Sequence, residues 1–324
     1  MKRRGLPLGI DIGTTRVRVV ETEPYAQGMR IRAVAAREVP SGSSSSGALE
    51  DPEYVAALIE DAVCELGTRE RRCVCAIGEP DALLRPLKFP KMTSVERERA
   101  ARFEAKRYIE YPAEEAVVRI HPVDPGAEMW ALGIARSSAV ITRTAALRGA
   151  GLKPVAMDHE ACALARALPG FDAIVDVGHQ RTSLHVIGTR TPVTLQAYNG
   201  GADVTRAIER ELSLDTQTAE KRKRILGTAG AGERARAALT SDLAALIHRA
   251  RSTHAISRIA LVGNAARLAG ITADLESATG ALCEMPVSDA LRGAHYPEDV
   301  IRSSAPDWTL AAGLALWSTN AHAV

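Results

Sequence analysis

At 324 residues, 46% of them hydrophobic, the chain is long enough for two packed cores, and its net charge of +2 excludes the strong basic or acidic bias of a nucleic-acid or polyanion mimic. Aromatic residues make up only 4%, so small aliphatic side chains must fill the interior. No apolar run is long enough to span a bilayer, so direct membrane insertion is not expected and any membrane association should go through a partner. The cysteines, Cys64, Cys73, Cys75, Cys162 and Cys283, are odd in number and lack zinc spacing. They read as reduced, mostly buried thiols of a cytoplasmic protein. Met1-Lys2-Arg3-Arg4 begins like the flank of a signal segment, but Asp11 interrupts any apolar stretch behind it.

The first element is Gly9-Ile10-Asp11-Ile12-Gly13-Thr14-Thr15-Arg16-Val17-Arg18-Val19-Val20-Glu21. Alternating apolar residues lead into Asp11, a tight turn follows, and a second alternating run returns as the partner strand. The turn offers backbone N–H groups and two hydroxyls, which suit phosphate oxygens. Asp11 stands where a carboxylate could hold a hydrated Mg²⁺. An ordinary glycine hairpin would carry the same pattern. Residues 31–39 read as a third strand and 40–47 as a serine-rich loop. Asp51-Pro52-Glu53 opens a helix with Asp as its cap and one apolar face down to Leu66. Residues 72–77 return as a strand.

A different block spans about 83–149 and reads as a small α+β insertion. Residues 83–87 form a strand. Thr93 and Glu96 make a capping box for a helix carrying Val95, Ala101, Ala105, Tyr108 and Ile109, ended by Tyr111-Pro112. Strands are expected over 115–122 and 129–135 around Asp124-Pro125-Gly126, then a helix over 138–149. Phe89, Met92, Phe103, Tyr108 and Tyr111 supply its large apolar groups, most of them for its own core.

Beyond a strand at 152–157 and a helix at 160–168, the opening rhythm returns in Ile174-Val175-Asp176-Val177-Gly178-His179-Gln180-Arg181-Thr182-Ser183. Two Asp-hairpins a domain length apart imply duplicated domains that could grip a polyphosphate from both sides. Gly200-Gly201 follows, then amphipathic helices over 203–212, 216–226 and 233–252. A strand at 256–262 runs into Gly263-Asn264-Ala265-Ala266, Val287 is placed on a last short strand, and 308–317 reads as a closing helix.

The paired hairpins, the late strand-to-helix turn and the terminal helix resemble the actin/Hsp70/sugar-kinase superfamily. Within it the chain resembles the PilM family of type IV pilus assembly. The resemblance is carried by the opening motif, Pro86-Leu87-Lys88-Phe89-Pro90-Lys91-Met92 and Glu104-Ala105-Lys106-Arg107-Tyr108-Ile109-Glu110-Tyr111-Pro112. Ala150-Gly151-Leu152-Lys153-Pro154 and Gly200-Gly201-Ala202-Asp203-Val204-Thr205 add to it. It implies an α/β, actin-like (ribonuclease H-like) two-domain ATPase fold. The first domain would cover 1–170 with the insertion, and the second 171–307 with a helical part at about 203–258. A closing helix would cover 308–324.

The resemblance also implies ATP and Mg²⁺ between the domains. By matching positions, Asp11, Gly13, Thr14, Thr15 and Arg18 belong to the first phosphate hairpin, and Asp176, Gly178 and Thr182 to the second. Gly200 and Gly201 follow it. Glu220, Lys223 and Gly263 fall around the adenosine, Asp11 and Asp176 beside the metal, and Glu160 where an acid orients water. The implied partner is the cytoplasmic N-terminal tail of PilN, docked in a groove at the insertion, with other pilus inner-membrane platform proteins beyond it. The protein would then be cytoplasmic and peripheral at the inner membrane. Two features depart from the superfamily: Arg18 replaces a lysine, and Asn264-Ala265 replaces expected glycines, so turnover is expected to be slow or absent. Two alternatives share the superfamily. One is a small-molecule kinase, for which the short insertions leave little substrate pocket. The other is an FtsA-like division scaffold, whose membrane-binding terminal helix has no counterpart here.

Overall fold

The computed structural model describes residues 6–25, 28–39, 48–124, 128–294 and 296–318. The serine-rich stretch, Pro125-Gly126 and the end of the chain lie outside the described residues. In chain order the first elements are β1 (Leu8–Ile12), β2 (Arg16–Tyr25), β3 (Gly28–Glu38), α1 (Pro52–Leu66) and β4 (Arg72–Ile77). Then come β5 (Ala82–Lys88), α2 (Ser94–Ala105), β6 (Ala116–Asp124), β7 (Met129–Arg136), α3 (Ser137–Gly149), β8 (Lys153–His159) and α4 (Glu160–Ala167). The remaining strands are β9 (Ala173–Val177), β10 (Thr182–Val186), β11 (Val193–Ala197), β12 (Arg258–Val262) and β13 (Leu282–Glu284). The remaining helices are α5 (Gly201–Leu212), α6 (Thr216–Leu226), α7 (Glu233–Arg251), α8 (Ile271–Thr279), α9 (Asp289–Arg292) and α10 (Glu298–Ala315).

Two five-stranded sheets repeat one another. The first runs β3-β2-β1-β4-β8 and the second β11-β10-β9-β12-β13. In each, a central strand pairs antiparallel with its own hairpin partner and parallel with the strand on its other side. Parallel central strands must be covered on both faces, and the residues comply. Leu8, Ile10, Val74, Cys73 and Cys75 are fully buried in the first sheet; Ala173, Ile174, Val175 and Val177 are in the second. α1 and α3 pack together over the first sheet, where Ile59, Val63, Ala146 and Leu147 join Leu8 and Ile10 in one apolar cluster. α1 begins as its sequence implies: Asp51 accepts a hydrogen bond from the Tyr54 N–H, and Pro52 takes the first turn.

The third sheet, β5-β7-β6, is small and antiparallel, with α2 packed on it. Its core is Phe89, Ala101, Ala105, Leu132 and Ile134. The Thr93–Glu96 capping box forms, but α2 ends at Ala105, short of the expected stop. From there the chain tightens into bonds three residues back, Lys106 to Phe103, Arg107 to Glu104 and Tyr108 to Ala105. Val95 and Phe103 face solvent instead of the core.

Two further expectations at the end of the chain are corrected. The last strand is β13, and Val287 lies past it, packed with Ile301 and Ala305. The closing helix starts at Glu298, ten residues before the expected 308, because Pro306 sits inside it rather than in front of it. α10 lies directly on β1: a Cβ on Gly9 would stand 2.1 Å from the Ala311 carbonyl. The same helix touches β4, α4 and β12, and so ties both large sheets together.

Candidate functional site

The two Asp-hairpins are built alike. Each has Asp at its strand end, Gly two residues on and Arg five residues on. The Gly13 N–H donates to the Arg16 carbonyl at 2.9 Å, and the Gly178 N–H to the Arg181 carbonyl at 3.0 Å. A Cβ on Gly178 would stand 2.7 Å from that carbonyl, so this turn admits only glycine. Across the strands, Asp11 sits opposite Arg18, and Asp176 opposite Ser183. Both turns open on one cleft of about 370 Å³, whose walls also include Arg143, Glu160, Arg181, Gly263, Asn264 and Asp307.

Burial sets the electrostatics of this cleft. Asp11 accepts a hydrogen bond from Arg18 at 3.1 Å. Burial raises its pKa, and Arg18 and Arg143 pull it back. Asp176 is pushed up to about 6, first by burial and then by Asp11, with Arg18 and Arg181 opposing. Glu160, the first residue of α4, reaches about 7. Burial is the main cause; Arg181 lowers it, and the neighbouring Asp176 and Asp11 raise it again. Gly78 makes the space for that carboxylate, since a Cβ there would lie 2.1 Å from Glu160 Oε2. Gly263, at φ +85°, does the same for Asp176, whose Oδ1 lies 2.2 Å from where a Cβ would be. Its N–H is held by the Pro306 carbonyl at 2.9 Å.

Three mutually repelling carboxylates favour a cation. Among the described residues no group of three or more His, Cys, Asp or Glu side chains could hold a metal unaided. Asp11 and Asp176, two carboxylates on one cleft, fit the chemistry of Mg²⁺, which takes one or two carboxylates and completes its shell with water and phosphate oxygens. Arginines at 18, 143 and 181 fit the phosphates, and Arg181 Nη1 is buried with no hydrogen-bond partner.

A smaller cavity of about 110 Å³ adjoins the cleft and shares His179 and Asn264 with it. Gly201, Glu220, Lys223, Arg224, Ala265, Arg267 and Leu268 complete its wall. Glu220 and Lys223 form a largely buried ion pair. Lys223 is buried and donates to the Gly201 carbonyl at 2.9 Å, Thr205 Oγ1 at 2.8 Å and Glu220 Oε2 at 2.7 Å. Its pKa is lowered by burial against the pull of Glu220.

Of the sequence-derived site residues, Asp11, Gly13, Thr14, Thr15, Arg18, Glu160, Asp176, Gly178 and Gly263 line the cleft, and Gly201, Glu220 and Lys223 the adjoining cavity. Thr182 and Gly200 line neither. The Thr182 hydroxyl is fully buried and donates to the Asn199 carbonyl at 3.0 Å, so Ser183 takes the place facing the cleft. Gly200 instead lets α5 approach the second hairpin, where a Cβ would lie 2.7 Å from the Gly178 and His179 carbonyls. Sequence reasoning did not find Arg143, Arg181, Tyr198 and Asp307. Arg181 stands five residues after Asp176, the place that Arg16 takes after Asp11; Arg143, Tyr198 and Asp307 belong to no spacing motif and reach the cleft through tertiary placement alone.

The repeated sheets, with a phosphate-suited cleft between their hairpins, define a protein of the actin-like fold. Solved structures of that fold match almost end to end. The ethanolamine utilization protein EutJ from Carboxydothermus hydrogenoformans is 16% identical with a TM-score of 0.63, covering 97% of this chain and 90% of that one. A non-polymerising MamK mutant bound to AMPPNP is 12% identical with a TM-score of 0.50, covering 96% and 98%. The family is more specific. The sequence model described as type IV pilus assembly protein PilM matches residues 9–319, and the chain belongs to that family. It is also 29% identical to a chain of the PilM-PilN type IV pilus biogenesis complex, with a TM-score of 0.86 over 97% of this chain and 98% of that one.

Proposed function

We propose that the chain is a nucleotide-responsive adaptor of a type IV pilus inner-membrane platform, holding ATP and Mg²⁺ in the cleft and a PilN N-terminal tail at the inserted sheet. The observation that carries the nucleotide half is the pair of equivalent hairpins opening on one cleft. Residues 1–170 and 171–307 would act as its two walls. Thr14, Thr15 and the turn N–H groups would bind phosphate oxygens, with Arg18 and Arg181 placed to neutralise them. Asp11 and Asp176 would hold Mg²⁺ through its ligand sphere; when bound, that ion supplies further neutralisation of the phosphates. The adjoining cavity with Glu220 and Lys223 suits the adenosine. Glu160, whose pKa burial raises to about 7, would be suited to accept a proton from a water beside the phosphates. Asn264, which stands where a glycine is expected, lines both cavities, and this supports slow or absent turnover.

The likeness to a chain solved with PilN supports the second half. The tail would dock between the small sheet and the first large sheet, recruiting the protein to the cytoplasmic face of the inner membrane and to the platform's other members. Two measurements test the reading. Mg²⁺-ATP should raise the melting temperature, and the double variant Asp11→Ala/Asp176→Ala should abolish that rise; an equal rise in the variant refutes the site. A synthetic PilN N-terminal peptide should protect amides within residues 83–149 from hydrogen exchange. Protection confined to residues 203–258 refutes that docking site.

A further inference from the structure

α2 turns a bare face to solvent. Val95, Arg99, Arg102, Phe103 and Lys106 follow one another at i, i+4, i+7, i+8 and i+11, which gathers them on one stripe. The opposite side is anchored. Ala101 and Ala105 are buried in the small sheet's core, and the Arg97 guanidinium stacks on the Trp130 ring at 4.0 Å. Phe103 is 68% exposed and Val95 57%.

The charges on this stripe are uncompensated. Arg99, Arg102 and Lys106 are exposed and make no hydrogen bond or ion pair among the described residues. The acids of α2 are spent elsewhere or lie at its margin. Glu96 accepts from the Thr93 N–H and hydroxyl in the cap. Glu104 accepts from Arg107. Glu98 lies on the flank, exposed. Another arginine-rich helix, α6, differs in this respect: its Arg224 is paired with Glu220, and its Arg222 is bound to the Ala229 carbonyl.

We infer that the outer face of α2 is a peripheral contact for an anionic lipid surface, with Arg99, Arg102 and Lys106 on the headgroups and Phe103 seated among them. The stripe complements a plane of negative charge. Three unpaired cations on a rigid helix meet headgroups without needing a matched pattern of acids, and one aromatic side chain can enter the interface. Three cations and one ring hold only weakly. The contact therefore acts as one of two signals, orienting a molecule that a second attachment brings to the membrane. It does not rest on the nucleotide reading, and the vesicle test below reads it without the tail.

The test is sedimentation of the full chain with vesicles of phosphatidylglycerol and phosphatidylcholine (about 3:1) or of phosphatidylcholine alone, at low and high salt. Binding is expected on the anionic vesicles at low salt and should fall steeply as salt rises. Each charge removed should weaken it about five-fold, and Arg99→Ala/Arg102→Ala/Lys106→Ala about a hundred-fold. Phe103→Ala should weaken it several-fold and leave the salt dependence intact. All four side chains are exposed, so melting temperatures should not change, and a fold defect cannot mimic the result. No binding to anionic vesicles, equal binding to neutral ones, or wild-type binding by the triple variant overturns the proposal. So does a loss of binding that follows Lys221→Glu on α6 instead.

Discussion

The two hairpins share a backbone and differ in charge. In the first, the residue opposite Asp11 is Arg18, and the pair is joined at 3.1 Å. In the second, the residue opposite Asp176 is Ser183, whose hydroxyl is engaged by the Gln196 amide at 3.1 Å. The first hairpin thus carries its own counter-charge. In the second, Arg181 of its own turn and Arg18 of the first act on Asp176 without a bond to it, and its carboxylate rises to about 6. A duplicated scaffold has become asymmetric through one cross-strand position. The half that gains most from an added cation is the second.

The largest predicted effect breaks this asymmetry at its charged end. Asp176→Asn should remove the Mg²⁺-dependent part of ATP binding, a loss of about 2–3 kcal/mol for a charged contact. Asp11→Asn should cost less, because Arg18 is then released toward the phosphates. Calorimetric titrations with and without Mg²⁺ check the order; equal losses would dissolve the distinction. Next is the glycine that shapes the second hairpin. Gly263→Ala forces a Cβ against Asp176 and onto a positive φ, and should destabilise the protein by about 2 kcal/mol in denaturant titration. A neutral result would mean that the packing at Asp176 is loose.

The third prediction concerns pH. Glu160 titrates near 7 in the fold, above the ordinary carboxylate range. An acid with a raised pKa favours the fold while protonated, and loses that advantage as pH rises from about 4.5 to 7. Glu160→Gln should therefore gain stability over the wild type above pH 7, on the order of 3 kcal/mol, and none below pH 4.5 or so. The comparison with the wild type matters, because buried His159 and His185 act in the opposite sense. Burial lowers them to about 4 and about 3, so their stabilisation is present above pH 6.5 and is lost as pH falls below it. A Glu160→Gln curve parallel to the wild type would remove Glu160 from the electrostatics of the cleft.

The smallest effect tests how the second hairpin reaches the inserted sheet. The Gln196 amide bonds both Ser183 and the Glu79 carbonyl, the latter at 2.8 Å, three residues before β5. Arg143 of the cleft meets Asp81 at 3.7 Å, next to the same strand. Gln196→Ala should cost about 1 kcal/mol in stability and weaken any effect of ATP on tail binding. Unchanged coupling would place the connection elsewhere.

Local chemistry made much of this legible. The Asp-Gly hairpins, the Asp51 cap and the Thr93–Glu96 box are short-range signals, and the structure forms each of them. What escaped was tertiary. The closing helix is expected only from 308, yet α10 starts at Glu298 with Pro306 inside it, and the Pro306 carbonyl holds the Gly263 N–H. Thr182 and Ser183 are adjacent in the sequence, and only the pleat of β10 decides which hydroxyl meets the cleft. Lys223 lies within the charged run 220–224, and only the packing of α6 on α5 buries it.

The central claim, that both hairpins clasp one ligand, is tested most directly by hydrogen exchange during a titration with Mg²⁺-ATP. Amides of residues 8–20 and 173–186 should gain protection together, with a single midpoint. Protection of one hairpin alone, or two separate midpoints, would contradict the account.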